Sequence, residues 1–187
     1  MTPRLLIAAV LGGLTIFFWG FASHMLLPLG EMGMGQATNE EATLAALKET
    51  LPGPGIYMVP GLAGDKYDDP AAVAAYSAKA LANPYAFIAY QPKGQDGMDM
   101  ADELARELAT NIVAALIIAF VLSMVGPGLG RRVAVAGAMG VFAWLAVSVP
   151  YWNWSRFPLE FTAAALVQTL VGALLAGLVI GVVSGKR

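Results

Sequence analysis

The chain has 187 residues, 58% of them hydrophobic and 13% charged, with a formal net charge of −2. A water-soluble domain carries about 25% charged residues, so a chain this poor in charge points to a membrane. It contains no cysteine and one histidine. That excludes disulfides, thiolate nucleophiles and metal centres, lipidated cysteines, a bis-histidine haem and a His-rich zinc site.

Residues 5–29 contain no Asp, Glu, Lys or Arg, and the run is long enough to cross a bilayer core, which needs about 20 apolar residues. A secretory h-region is only about 7–15 residues long, so 1–29 is expected to be a retained signal anchor. A small-x-small site at Gly35-Gln36-Ala37 is the feature that speaks for cleavage. His24 lies near the far end of this first span, in "FASHMLLPLGE". It reads either as a hydrogen-bonded structural residue or as a ligand, because an ionisable group at membrane depth is a functional candidate.

Residues 30–97 read as a small α/β domain. Thr38-Asn-Glu-Glu41 has the form of a capping box and predicts a helix over 39–50. "LPGPG" stops it, and "IYMV" at 56–59 reads as a strand. Asp69-Pro70 predicts a helix over 70–82. "YAFIAYQ" at 85–91 reads as a second strand. Helix, break and strand thus occur twice, and two strands joined by a helix in one sheet are expected to be parallel. Met32 and Met34 open this segment, Met98 and Met100 follow its end, and Met25 precedes it. Thioether sulfur suits Cu(I), which makes them weak copper candidates, although Met also fills irregular gaps.

Residues 98–187 hold the other three spans. "MDMADELARELATNIVAALIIAF" predicts one helix over 98–125, with Asp99, Asp102, Glu103, Arg106 and Glu107 standing in water before the charge-free run 108–130. "GPGLGRR" reads as a tight turn, and 133–155 and 161–185 follow as further charge-free spans. Between them, "PYWNWSRFPLEF" (150–161) reads as a tight Pro-bounded loop that gathers Tyr151, Trp152 and Trp154 around Arg156 and Glu160. Aromatic rings with a polar edge anchor membrane interfaces. The same rings and ions, with His24, are also a candidate binding or docking site. Arg156 and Glu160 are spaced i,i+4 and are expected to pair at the start of the last helix.

In the last span Thr169, Ala173, Gly177, Gly181 and Gly185 recur every four residues, flanked by Ala164, Gln168, Gly172 and Ala176. Such a ridge lets helices approach closely inside lipid. Packing within the bundle is expected, with Gly12 and Gly20 on span 1 and Ala136 and Gly140 on span 3 as counterparts. Gln168 is expected to make an interhelical hydrogen bond. No span carries an ionisable side chain at its middle, which argues against a channel or pump.

The fold class is therefore mainly α: a four-transmembrane-helix bundle with a small extracytoplasmic α/β insertion between helices 1 and 2. Arg4, Arg131, Arg132, Lys186 and Arg187 fall on one side of four alternating spans, and twelve carboxylates lie in 30–107 on the other. By the positive-inside rule both termini face the cytoplasm and residues 30–105 lie outside, most economically in a bacterial inner membrane. No nucleophile elbow, zincin or P-loop motif occurs, and the acidic segment disfavours nucleic acid. The expectation is a non-catalytic accessory or scaffold subunit without a cofactor. Its partners would be membrane lipids and other membrane subunits, in a respiratory or photosynthetic complex for instance. The alternative is a binder of a lipid-like molecule (quinone, lipid or pigment) or of Cu(I).

Overall fold

The computed structural model describes residues 2–185; the cations Lys186 and Arg187 lie outside the described residues. Helix α1 covers Pro3–Phe21. The Thr2 hydroxyl accepts from the Leu5 amide at 3.3 Å, and Pro3 stands where no amide is needed. The helix widens into a π turn over Ala22–Leu26, closed by the Leu27 amide on the Ala22 carbonyl at 3.0 Å. A tight 3₁₀ turn follows at Pro28–Gly30. Helices α2 (Glu40–Thr50) and α3 (Pro70–Ala82) alternate with strands β1 (Gly55–Val59) and β2 (Ala86–Tyr90). Helices α4 (Ala101–Met124), α5 (Leu129–Ser155) and α6 (Leu159–Ser184) complete the chain.

Four helices, Pro3–Leu26, α4, α5 and α6, are long and apolar enough to cross a membrane. The shortest have 24 residues, roughly 36 Å at 1.5 Å per residue, against a hydrocarbon core of about 30 Å. Two compact units result. One contains the described residues up to Gly35 and from Met98 onward; the other is Gln36–Gly97. Residues 31–35 belong with the helices. Gly33, at φ 74°, approaches so near that an added Cβ would lie 2.9 Å from the Phe161 backbone nitrogen.

Small residues set the helix packing, as expected where lipid supplies no hydrophobic drive. A Cβ on Gly13 would sit 2.6 Å from the Ile112 Cα, and one on Gly140 2.6 Å from the Thr169 carbonyl oxygen. Gly12 lies against Ile180, Gly177 against Ala136, and Gly181 against Leu129. These contacts run α1 and α5 antiparallel to α4 and α6. The ridge on α6 is spent inside the bundle, against α5 on one flank and α1 on the other. The shared core is largely alanine, with large apolar side chains such as Phe142 (72% exposed) turned outward. Two expected partners behave differently. Gly185 is the C-cap of α6, and an added Cβ would meet only its own helix. Gly20 has open space beside it.

Helices α4 and α5 make few contacts, whereas the pairs α1–α4, α1–α6 and α5–α6 are closely packed. The bundle is therefore an open arc. At one end Arg4 Nε donates to the Val183 carbonyl at 2.6 Å, placing a cation on the carbonyl-bearing end of α6.

Four expectations need correction. The sheet is antiparallel, Gly55 opposite Tyr90 and Val59 opposite Ala86. Helix α3 carries the chain about 20 Å one way, and the irregular stretch 60–69 carries it back, so β2 starts beside the residue where β1 stops. The cap of α2 is Asn39, whose Oδ1 accepts from Ala42 N at 3.0 Å. This places Ala42 three positions after the cap, where a capping box needs Glu or Gln. Arg131 and Arg132 stand in the first turn of α5, because the turn closes at Gly128 (φ 122°). Finally, "PYWNWS" is the last part of α5, carried through Pro150, and not a loop.

Candidate functional site

Next to Gly20 the bundle forms an open cavity of about 390 Å³, within the range of small-molecule sites. Helix α1 contributes Ile16, Trp19 and Gly20, and its π turn adds Ser23 and His24. Helix α6 contributes Gln168, Thr169, Gly172 and Ala173. Glu107, Ala114, Ile117 and Ile118 come from α4, and Met139, Gly140 and Ala143 from α5. Because α4 and α5 barely touch, the cavity opens sideways between them. Ile117 (55% exposed) marks that opening.

The apolar residues form most of the wall and the polar ones gather toward the end where α1 stops and α4 begins. His24 sits in the π turn, an irregularity often found at functional sites. Its Nδ1 is 2.9 Å from the Gly20 carbonyl and 3.1 Å from Ser23 Oγ. A carbonyl can only accept, so Nδ1 is the donor, and in that tautomer Nε2 is an acceptor. Nε2 lies 3.5 Å from Gln168 Nε2, an amide that donates to it. Gly30 folds back against the other side of the ring: a Cβ there would sit 2.6 Å from His24 Cδ2. The imidazole is thus held by α1, α6 and the 3₁₀ turn together.

The remaining donors on the wall are committed to backbone carbonyls. Trp19 Nε1 donates to Gln168 O at 3.1 Å, Ser23 Oγ to Gly20 O at 2.9 Å, and Thr169 Oγ1 to Ala165 O at 2.9 Å. Glu107 accepts from Asn111 Nδ2 at 3.0 Å through Oε1.

Of the residues singled out in the sequence, His24 and Gln168 meet at this cavity. The aromatic stretch does not line it. Tyr151, Trp152 and Trp154 are exposed on the final turns of α5, Trp154 by 80%. Tyr151 stacks obliquely on Phe157 at 5.1 Å, and Phe157 meets Phe161 edge-on at 5.6 Å. Arg156 is the left-handed C-cap of α5 (φ 55°), and the Phe157 amide donates to Tyr151 O at 3.3 Å, a Schellman-type stop. Arg156 therefore lies outside α6, and its spacing to Glu160 no longer places the two on one helical face. Met34, Met98 and Met100 are exposed, and neither they nor Met25 and Met32 line the cavity. Among the described residues no group of three or more His, Asp or Glu side chains converges to hold a metal.

Sequence reasoning missed Trp19, Ser23, Thr169 and Glu107. A signal existed for the first three. Ile16, Trp19, Gly20 and Ser23 follow the i, i+3, i+4, i+7 pattern of one helix face, and Gln168, Thr169, Gly172 and Ala173 follow a similar one. Glu107 had none, because it ends an acidic run that reads as water-facing.

Compared with family models, with curated proteins and with solved structures, the chain matches none of them.

Proposed function

We propose that this chain is a multi-pass membrane protein that binds an apolar small molecule, without catalysis, in the cavity between α1, α4, α5 and α6. The observation that carries this reading is the cavity itself: about 390 Å³, mostly apolar, with His24, Gln168 and Glu107 at one end. An apolar pocket with a few convergent polar groups is the usual form of a ligand site. The lateral gap between α4 and α5 gives a lipid-soluble ligand a route in from the bilayer. In the proposed orientation Arg4, Arg131 and Arg132 face the cytoplasm of a bacterial inner membrane, α1 acts as a signal anchor, and residues 30–97 and the His24 end of the bundle face outward. The exposed tryptophans on α5 then lie in the outer interfacial belt.

The test is native mass spectrometry on protein extracted gently from its own membrane. The expected result is a bound molecule of defined mass in the native chain that is lost in Gly20→Leu/Ala143→Leu, where two larger side chains fill the cavity. The same molecule retained by the filled variant would overturn the reading.

A second reading, an accessory subunit docked on a larger membrane complex, draws support from Gln36–Gly97. Its sheet has only two strands, marginal by itself, and Ile56, Met58 and Leu81 are exposed, Leu81 by 90%. The same extraction distinguishes the readings: a stoichiometric partner protein favours docking.

A further inference from the structure

Resting on the reading of the cavity as a binding site, we infer that its polar end selects ligands whose head group donates hydrogen bonds and carries no negative charge: a long-chain amine above all, and a hydroxyl-headed molecule next. The inference follows from which hydrogen-bonding groups remain open. Trp19, Ser23 and Thr169 have each given their proton to a backbone carbonyl. The proton on His24 Nδ1 is committed to Gly20 O. What remains at the polar end is mostly acceptor: His24 Nε2 and the Glu107 oxygen that Asn111 does not occupy, with the Gln168 amide supplying both an oxygen and its second N–H. The contact of His24 Nε2 with the Gln168 amide is long, at 3.5 Å, so a better donor can replace it. Among the described residues no Lys or Arg lines the wall.

A carboxylate, phosphate or carbonyl head would therefore set acceptor against acceptor beside Glu107 and gain no hydrogen bond from it. An ammonium offers up to three donors and a charge that Glu107 complements. A hydroxyl offers one donor. The tail would lie along Ile117, Ile118 and Met139 toward the gap between α4 and α5.

The experiment uses the full chain in phosphatidylcholine nanodiscs, titrated with dodecylamine, dodecanol and dodecanoate, with empty nanodiscs subtracted. The three probes share one tail and differ in the head. The expected order is amine, alcohol, carboxylate, with the amine roughly tenfold or more tighter than the carboxylate. Glu107→Gln should remove most of that difference, by weakening dodecylamine far more than dodecanol. Equal or tighter binding of dodecanoate, or an unchanged ratio in Glu107→Gln, overturns the inference. If all three bind equally and Gly20→Leu/Ala143→Leu abolishes binding, the cavity reading stands and the head-group selectivity falls. If none binds above empty nanodiscs, both fall.

Discussion

His24 and Gln168 lie 144 positions apart and meet ring nitrogen to amide nitrogen at 3.5 Å, each also tied to α1: His24 through Gly20 O, Gln168 through the Trp19 indole on its backbone carbonyl. The only histidine and a glutamine of the last span thus share the end of one cavity. Because the chain has a single histidine, its ring can be observed without assignment. Nitrogen-15 spectra of the imidazole in neutral detergent solution are expected to show a protonated Nδ1 and an unprotonated Nε2. In Gly30→Ala, whose added methyl would lie 2.6 Å from His24 Cδ2, the ring must turn, and the Nδ1 pattern should change. An unchanged spectrum would mean that the 3₁₀ turn does not hold the ring.

The glycines of the bundle should divide into two groups. Gly140→Ala meets the Thr169 carbonyl oxygen at 2.6 Å and the Leu170 Cα at 3.1 Å, both backbone, so the helices must separate. The expected loss is about 1–3 kcal/mol, the range for overpacking. Gly20→Ala has nothing within 4 Å and gains about 0.5–1 kcal/mol of helix propensity. Unfolding in mixed micelles with increasing SDS measures both. Equal behaviour of the two variants would count against the close approach of α5 and α6.

The indole of Trp144 donates to the Thr162 carbonyl at 2.7 Å and joins α5 to α6 near their connection. Trp144→Phe keeps most of the apolar body and removes the donor. It should cost about 1 kcal/mol in the same unfolding assay and leave cavity binding unchanged.

Arg156 holds a left-handed backbone at φ 55°, a conformation that glycine adopts freely and a β-branched residue does not. Arg156→Gly and Arg156→Val lose the same side chain, so their difference isolates the backbone. The glycine variant is expected to be more stable than the valine variant by about 1–2 kcal/mol.

In Gln36–Gly97, Asn39→Ala should expose the Ala42 amide to exchange and cost about 1 kcal/mol of α2 stability, whereas Thr38→Ala should leave that amide protected. Hydrogen exchange at Ala42 reads both. The reverse pattern would restore Thr38 as the cap.

Much of the architecture was legible from residues alone, because it depends on local rules. Charge-free runs of more than 20 residues predicted the four long helices, since no shorter or more polar helix satisfies its backbone across lipid. Asp69-Pro70 predicted the start of α3, since a side-chain acceptor and a missing amide are both local devices. The small-residue ridge on α6 predicted close packing. What tertiary structure decided was which groups meet. Strand direction depended on how far the irregular segment 60–69 reaches back, which no local propensity sets. Gly20 and Gly140 read alike in sequence, yet one borders empty space and the other a carbonyl oxygen, because α4 and α5 part where α5 and α6 close. Glu107 read as a solvated acid and Gln168 as an isolated polar residue. Only the antiparallel packing of α1 between α4 and α6 brought Gln168 to His24 and Glu107 to the same cavity, since helix register across the bundle, and not distance along the chain, fixes which groups meet.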